Sequence, residues 1–369
     1  MFLSKKKKST GRRKQSEMSC KRKVAVLGAT GAVGQRFIQL LKGHPWFQIE
    51  VLAASERSAG KKYGEACNWV METNMPKEIA EMPVTNADVE SVEKAGDVDL
   101  VFSSLPGDLA GPVESQFAAL YPVFSKASAH RMEKDVPLLV PEINPDHAEL
   151  IRVQQKLRGW KGFISTDPNC STVQMAISLK PLMQFGLKQV VVSTMQALSG
   201  AGYPGVASLD IIDNVVPFIS GEEEKMESEA RKILGSFNGR TIQTADFKIS
   251  ASCNRVNVKD GHLESVFVKT EKDPSIEAIE AAFAVFKGEP QKLKLPSAPK
   301  QPIVVRHEKN RPQPRFDRDT GCGMSVVVGR IRKDPIMTFK YMCLGHNTIR
   351  GAAGGGILSA ELYVAKGLA

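Results

Sequence analysis

The chain has 369 residues, 42% of them apolar, which at about 150 residues per domain suits two domains with large cores and excludes a disulfide mini-protein or a disordered chain. Its formal net charge of +10 would point to a polyanionic partner, but residues 1–23 hold ten basic residues against Glu17 alone. That segment carries +9 and leaves about +1 on the remaining 346 residues, so the folded body has no broad basic field for nucleic acid or an acidic membrane.

In chain order, residues 1–20 read as a disordered basic arm that lacks the apolar core of a secretory signal. Lys23–Gly28 is a short apolar run ended by glycine, which predicts a buried parallel strand. A helix follows, with Phe37, Leu40 and Leu41 on one face, stopped by Gly43 and Pro45. Further strands are predicted at Phe47–Ala53, Val98–Ser103, Leu138–Val140 and Gly162–Thr166, with helical stretches such as Val113–Leu120 between them. This alternation predicts an α/β domain over residues 21–167 with an open parallel sheet.

From residue 168 the pattern changes. A helix starts near Cys170, and the strand Gln189–Ala197 leads to a glycine-rich loop, Ser199–Gly205. Two helices, 208–215 and 222–234, precede alternating strands at Ile249–Val258 and Leu263–Lys269, joined as a hairpin by Asp260-Gly261. Residues 296–314 form a proline-rich basic loop, Met324–Ile331 is another strand, and 347–369 end in an Ala/Leu helix. Residues 168–346 thus read as a second, α+β domain. No apolar run approaches the roughly 20 residues of a membrane span. The six cysteines, at 20, 67, 170, 253, 322 and 343, show no Cys-x-x-Cys pair or ligand spacing, so neither a metal nor a disulfide framework is expected and the reducing cytoplasm is the expected compartment.

Three stretches carry chemistry. Gly28-Ala-Thr30-Gly31-Ala32-Val33-Gly34 opens the first helix, where small residues let backbone N–H groups reach a pyrophosphate; a plain tight turn is the competing reading. The second strand ends in Ser55-Glu56-Arg57-Ser58, whose hydroxyls and guanidinium suit a 2′-phosphate, so NADP is favoured over NAD, with Glu56 turned to solvent. Cys170, after Asn169 and before Ser171-Thr172, stands in the first turn of a helix, where the macrodipole and free N–H groups favour a thiolate and an adjacent oxyanion. A buried structural cysteine is the alternative, and the polar neighbours weigh against it. A reacting thiolate needs an acid/base partner, and spacing alone does not choose among His44, His130, His147, His262, His307 and His346, although His262 follows the Asp260-Gly261 turn close to Arg255.

Taken together, Gly28–Gly34, Pro168-Asn-Cys-Ser-Thr172, Ser199–Gly205, Gly221-Glu-Glu-Glu-Lys225, Arg255–His262 and Asn347-Thr-x-Arg-Gly-Ala-Ala-Gly354 resemble the aspartate-semialdehyde dehydrogenase family in its archaeal and fungal branch. The resemblance runs in order from residue 22 to the C-terminus. It implies a Rossmann-type domain, a glyceraldehyde-phosphate-dehydrogenase-like catalytic domain and a C-terminal helix returning to the first domain. It further implies NADP-dependent conversion of aspartyl 4-phosphate to the semialdehyde through a Cys170 thioester, with His262 as acid/base, in biosynthesis of lysine, threonine, methionine and isoleucine. The substrate residues it implies are Arg131, Asn169, Gln196, Glu222, Lys225 and Arg255. The cofactor residues are Gly28, Thr30, Gly31, Ala32, Val33, Ser55, Arg57, Ser58, Ser103, Leu105, Ser199, Gly200 and Asn347. A homodimer or homotetramer is implied as well. Two positions depart from the pattern: Lys126 stands where asparagine is expected, and Asn257 where proline is usual. The rival readings are a malonyl-CoA reductase, an N-acetyl-glutamyl-phosphate reductase and a non-catalytic NADP-binding protein. Glu222 and Arg255 favour the amino-acid substrate, and Pro168–Thr172 differs from the second rival's cysteine loop.

Overall fold

A computed structural model describes residues 21–369, so the basic arm 1–20 lies outside the described residues. Strands β1 (Arg22–Leu27), β2 (Phe47–Ala54), β3 (Val84–Asn86), β4 (Leu100–Ser103), β5 (Pro122–Ser125) and β6 (Phe163–Thr166) form a parallel sheet in the order β3-β2-β1-β4-β5-β6. The central stretches Val24–Leu27 and Leu100–Phe102 are apolar at every position because helices cover both faces. Val24 and Val26 pack with α1 (Ala32–Leu41), while Ala25 and Leu27 join Phe117 and Ala118 of the helix Gly107–Ala118 on the other face.

The second half builds a six-stranded mixed sheet from β7 (Leu187–Gln196), β10 (Lys248–Arg255), β11 (His262–Thr270), β12 (Ile303–Arg306), β13 (Val326–Lys333) and β14 (Phe339–Gly345), in the order β10-β7-β11-β14-β13-β12. A small pair, β8 (Ser236–Phe237) and β9 (Ile242–Gln243), stands apart. Helices Cys170–Leu179, Glu222–Ile233 and Ile276–Val285 contribute Met175, Met226, Ile233 and Phe283 to a core with Val190, Val192, Val266 and Val328. The last helix, Gly354–Ala365, returns to the first sheet, where the Tyr363 ring lies 5.0 Å from that of Phe163 and 5.4 Å from that of Phe124. Beneath this crossing Arg350 pairs bidentately with Glu142 at 2.8 and 2.5 Å, both side chains buried. No helix among the described residues is long and apolar enough to cross a membrane.

The expected hairpin does not form. β10 and β11 are not neighbours; β7 lies between them, parallel to β10 and antiparallel to β11. The link from Val256 to Gly261 passes over the end of β7, held by the Val256 N–H on Gln196 O at 3.0 Å and the Leu198 N–H on Val258 O at 2.7 Å. Six residues span the two inter-strand steps of about 4.8 Å each that this crossing needs, which a two-residue turn cannot. Leu138–Val140 is likewise no strand: Leu138 makes one isolated bridge to Thr166, and prolines 137 and 141 interrupt the ladder on either side. The helix expected at 208–215 shrinks to Ser208–Ile211, while Ile303–Arg306 in the proline-rich loop and Pro122–Ser125 after a predicted helix are strands.

Candidate active site

The sheet reverses its winding between β1 and β4, and at that point the chain turns through Gly28–Gly31 into α1. Gly28 has φ +71°, and a Cβ there would stand 2.7 Å from Ser104 O; a Cβ on Gly34 would stand 2.3 Å from Gly28 O. Only hydrogen fits at either place, so the turn's backbone and the first N–H groups of α1 are open to an anion. At the end of β2, Ser55, Glu56 and Arg57 are exposed and Ser58 is half-buried, in a turn closed by the Ser58 N–H on Ser55 O at 2.8 Å. These residues fit a dinucleotide that carries a 2′-phosphate.

Cys170 is the first residue of its helix. The Asn169 side chain caps that helix, accepting the Ser171 N–H at 2.9 Å and the Thr172 N–H at 3.2 Å. The cap consumes two of the N–H groups that the sequence offered to an oxyanion. Cys170 Sγ lies 3.1 Å from His262 Nε2, while the Ala197 N–H donates to His262 Nδ1 at 3.0 Å. With the Nδ1 lone pair occupied, the neutral ring carries its proton on Nε2, facing the sulfur. Burial, and then the Arg255 guanidinium, hold His262 down at about 3. Burial and Glu222 push the Cys170 thiol up to about 12, against the pull of Arg131, Arg255 and Lys126. Close packing seals the pair: a Cβ on Gly200 would meet Arg255 Nη1 at 2.8 Å and His262 Nε2 at 3.2 Å, and one on Gly351 would meet Cys170 Cβ at 2.8 Å.

Glu222 gathers the polar side chains beside the cysteine. Its carboxylate accepts from Asn169 Nδ2 at 2.7 and 2.9 Å and from Gln196 Nε2 at 3.2 Å, and Lys225 Nζ lies 3.7 Å away. Glu223 is spent on the Cys253 N–H at 2.9 Å and Glu224 is exposed, so Glu222 is the carboxylate of the three that reaches the site. Buried Arg255 donates to Ala197 O at 2.7 Å. Arg131 bonds Glu229 at 3.0 Å and Lys126 O at 2.8 Å, with its Nε buried and unpartnered.

A cavity of about 520 Å³ runs from α1 to the cysteine, bordered by Val33, Leu105, Arg131, Asn169, Cys170, Ser199, Gly200, Glu222, Lys225 and Asn347. Gln196, Arg255 and His262 stand just behind this wall, in contact with Glu222, Ala197 and Cys170 respectively. Asn347 ties two loops together, accepting the Gly261 N–H at 2.8 Å and donating to Ser199 Oγ at 2.7 Å. Asn257 is exposed on the crossover.

One cofactor residue expected from the sequence is misplaced. Ser103 is fully buried and donates to Glu114 Oε1 at 2.6 Å, because the alternation of β4 turns its side chain toward the helix behind the sheet. Its neighbour Ser104 reaches Leu27 O at 2.9 Å, beside Gly28. Asn169 uses its amide on the helix cap and on Glu222, which makes it a support for both. Sequence reasoning missed Glu229, whose carboxylate accepts the Asn169 N–H at 2.6 Å and pairs with Arg131. A signal existed: Glu229 is two helical turns after Glu222, on the same buried face as Met226 and Ile233.

Two family models match the chain: semialdehyde dehydrogenase, NAD binding domain, over residues 23–151, and semialdehyde dehydrogenase, dimerisation domain, over residues 179–350. An aspartate-semialdehyde dehydrogenase of Archaeoglobus fulgidus is 56% identical over 342 residues, covering 92% of this chain and 97% of the relative. A malonyl CoA reductase (NADP) of Metallosphaera sedula is 45% identical over 352 residues, covering 94% of this chain and 97% of the relative. The crystal structure of aspartate semialdehyde dehydrogenase with NADP from Candida albicans matches with a TM-score of 0.86 at 43% identity, over 95% of this chain and 100% of that one. By fold, cysteine site and likeness along nearly its whole length, the chain belongs to the aspartate-semialdehyde dehydrogenase family.

Proposed function

We propose that the protein catalyses the reversible NADP-dependent reductive dephosphorylation of aspartyl 4-phosphate to aspartate 4-semialdehyde, in the biosynthesis of lysine, threonine, methionine and isoleucine. The observation that carries this reading is the 3.1 Å contact between Cys170 Sγ and His262 Nε2 at the head of a helix, beside Glu222. Arg255 pairs with the substrate α-carboxylate and Glu222 with its ammonium, while Lys225 and Arg131 face the phosphoryl group. The ammonium offsets the Glu222 charge that helps hold the thiol up, so loading the site favours the thiolate, whose proton goes to solvent.

The thiolate then forms a C–S bond to the acyl carbon as the C–O bond breaks, and phosphate leaves with the electron pair. NADPH bound in the cleft supplies the hydride that reduces the resulting thioester. His262 donates its Nε2–H to the oxyanion so formed. That role differs from the acid/base role implied by the resemblance: with Nδ1 occupied, the ring stabilises the oxyanion while keeping its proton. The carbonyl re-forms, the C–S bond breaks, and the thiolate returns to Cys170.

The test is phosphate-dependent NADPH formation from aspartate semialdehyde. Wild type should turn over, and Cys170→Ser should lose about three orders of magnitude or more; full activity in the variant, or none in wild type, overturns the reading. Malonyl-CoA with NADPH in the same assay probes the second reading, which the Metallosphaera relative motivates; Glu222 has no ammonium to meet there. A homodimer joined through residues 179–350 and a reducing cytoplasm complete the proposal. The second is supported by the free thiols of Cys67, Cys170, Cys253, Cys322 and Cys343.

A further inference from the structure

The cavity beside Cys170 holds one charged side chain that no step above uses. Lys126 directly follows β5, and its side chain is only 8% exposed. Its Nζ stands 3.2 Å from Asp167 Oδ2, its one ion-pair partner among the described residues, while Asp167 Oδ1 accepts from the Ser359 hydroxyl at 2.9 Å. An ammonium has three N–H donors, and a single carboxylate oxygen leaves donors to spare. Lys126 lines the same cavity wall as Arg131, Cys170 and Lys225.

The neighbouring cations are partly engaged. Arg131 spends both Nη atoms, on Glu229 and on the Lys126 carbonyl, and Lys225 is half-exposed with Glu222 beside it. Lys126, held by a single carboxylate oxygen, is therefore a second buried cation on this side of the cysteine, besides Arg131, with donors left for a dianionic phosphoryl group. Burial lowers Lys126 from the usual lysine range, and Asp167 works against that shift.

We propose that Lys126 Nζ binds the phosphoryl oxygens of the acyl phosphate, and those of inorganic phosphate in the reverse direction, as the innermost cation of the anion site. The inference rests on the phosphate-linked reaction proposed above. As the C–O bond breaks and the electron pair moves onto phosphate, the ammonium stabilises the growing charge and keeps its proton. A neutral amide at this place, which the family pattern called for, donates hydrogen bonds but supplies no charge.

The experiment uses the full chain in the oxidative direction, with phosphate, semialdehyde and NADP varied separately. Lys126→Met should raise the KM for phosphate about tenfold or more, with the KM for semialdehyde changed less than about twofold. Lys126→Asn should fall between, and Lys126→Arg should stay near wild type. Protection of Cys170 from iodoacetamide by inorganic phosphate, read without turnover, should need about tenfold more phosphate in Lys126→Met. An unchanged phosphate KM, or a uniform loss in every constant together with a lower melting temperature, overturns the proposal in favour of a purely structural pair with Asp167. If Lys126→Met does not fold, the asparagine and arginine variants carry the same comparison. A stoichiometric NADPH burst from wild type without phosphate separates the two levels. Its absence removes the enzymatic reading itself, whereas a burst with an unchanged phosphate KM in the variants removes only the role of Lys126.

Discussion

His262 shows how a side chain's role is set by the partner on its far side. The Ala197 N–H occupies Nδ1, and burial beside Arg255 holds the ring near 3, far under the ordinary histidine value. Protonation would have to break that bond and put a second cation against Arg255. The ring is therefore held neutral, and the group whose ionisation the reaction needs is the thiol, which burial and Glu222 hold up at about 12 before substrate loads. The expected profile of kcat/KM rises with pH as Cys170 ionises and has no inflection near 6.5. His262→Ala should lower kcat by about two to three orders of magnitude, as loss of an oxyanion donor does, without moving the rise. An inflection near 6.5 that vanishes in this variant would show that the ring titrates as a base. Cysteine at a helix start was readable from Asn169-Cys170-Ser171, since a cap residue marks that start. The choice among six histidines was not, because 92 residues separate Cys170 from His262 and only the sheet brings them together.

At the scale of elements, the site sits where loops leave the C-terminal ends of strands. Helix Glu222–Ile233 delivers Glu222 and Glu229 on one face, and the loop after β7 presses Gly200 against Arg255 and His262. Gly200→Ala places a methyl 2.8 Å from Arg255 Nη1 and about as close to the imidazole, so both must move. The expected result is a fall in kcat/KM of about tenfold to a hundredfold, since small displacements of reacting groups are costly, with little change in melting temperature. Steady-state kinetics with thermal denaturation check this, and unaltered kinetics would mean the loop yields freely. The βα units of the first domain were legible because buried parallel strands carry near-continuous apolar runs such as Val24–Leu27 and their turns are rich in glycine. The β10/β11 connection was not: a turn signal tells where a chain reverses, while the strand that lies between the two halves comes from elsewhere in the sequence.

For the whole molecule, the two sheets are joined where the C-terminal segment crosses from the second to the first. The Arg350–Glu142 pair sits at that crossing, with its side chains 1% and 0% exposed. Arg350→Met leaves a buried carboxylate unpaired and should destabilise the protein by about 3–5 kcal/mol, whereas adding Glu142→Gln should restore much of the loss. Denaturant melts of the two variants test this, and equal stabilities would show that the charge is not the cause. By itself the sequence determined the two-part organisation, the concentration of its charge in the first 23 residues, the glycine turn and the cysteine at a helix start, since each depends on neighbours within a few positions. Only the tertiary structure decided which histidine meets the sulfur, which of three consecutive glutamates faces the cavity, that Ser103 turns away, and that Lys126 stands as a buried cation beside Cys170. Those depend on burial and on which distant strands lie side by side, and both arise from the packing of the folded chain.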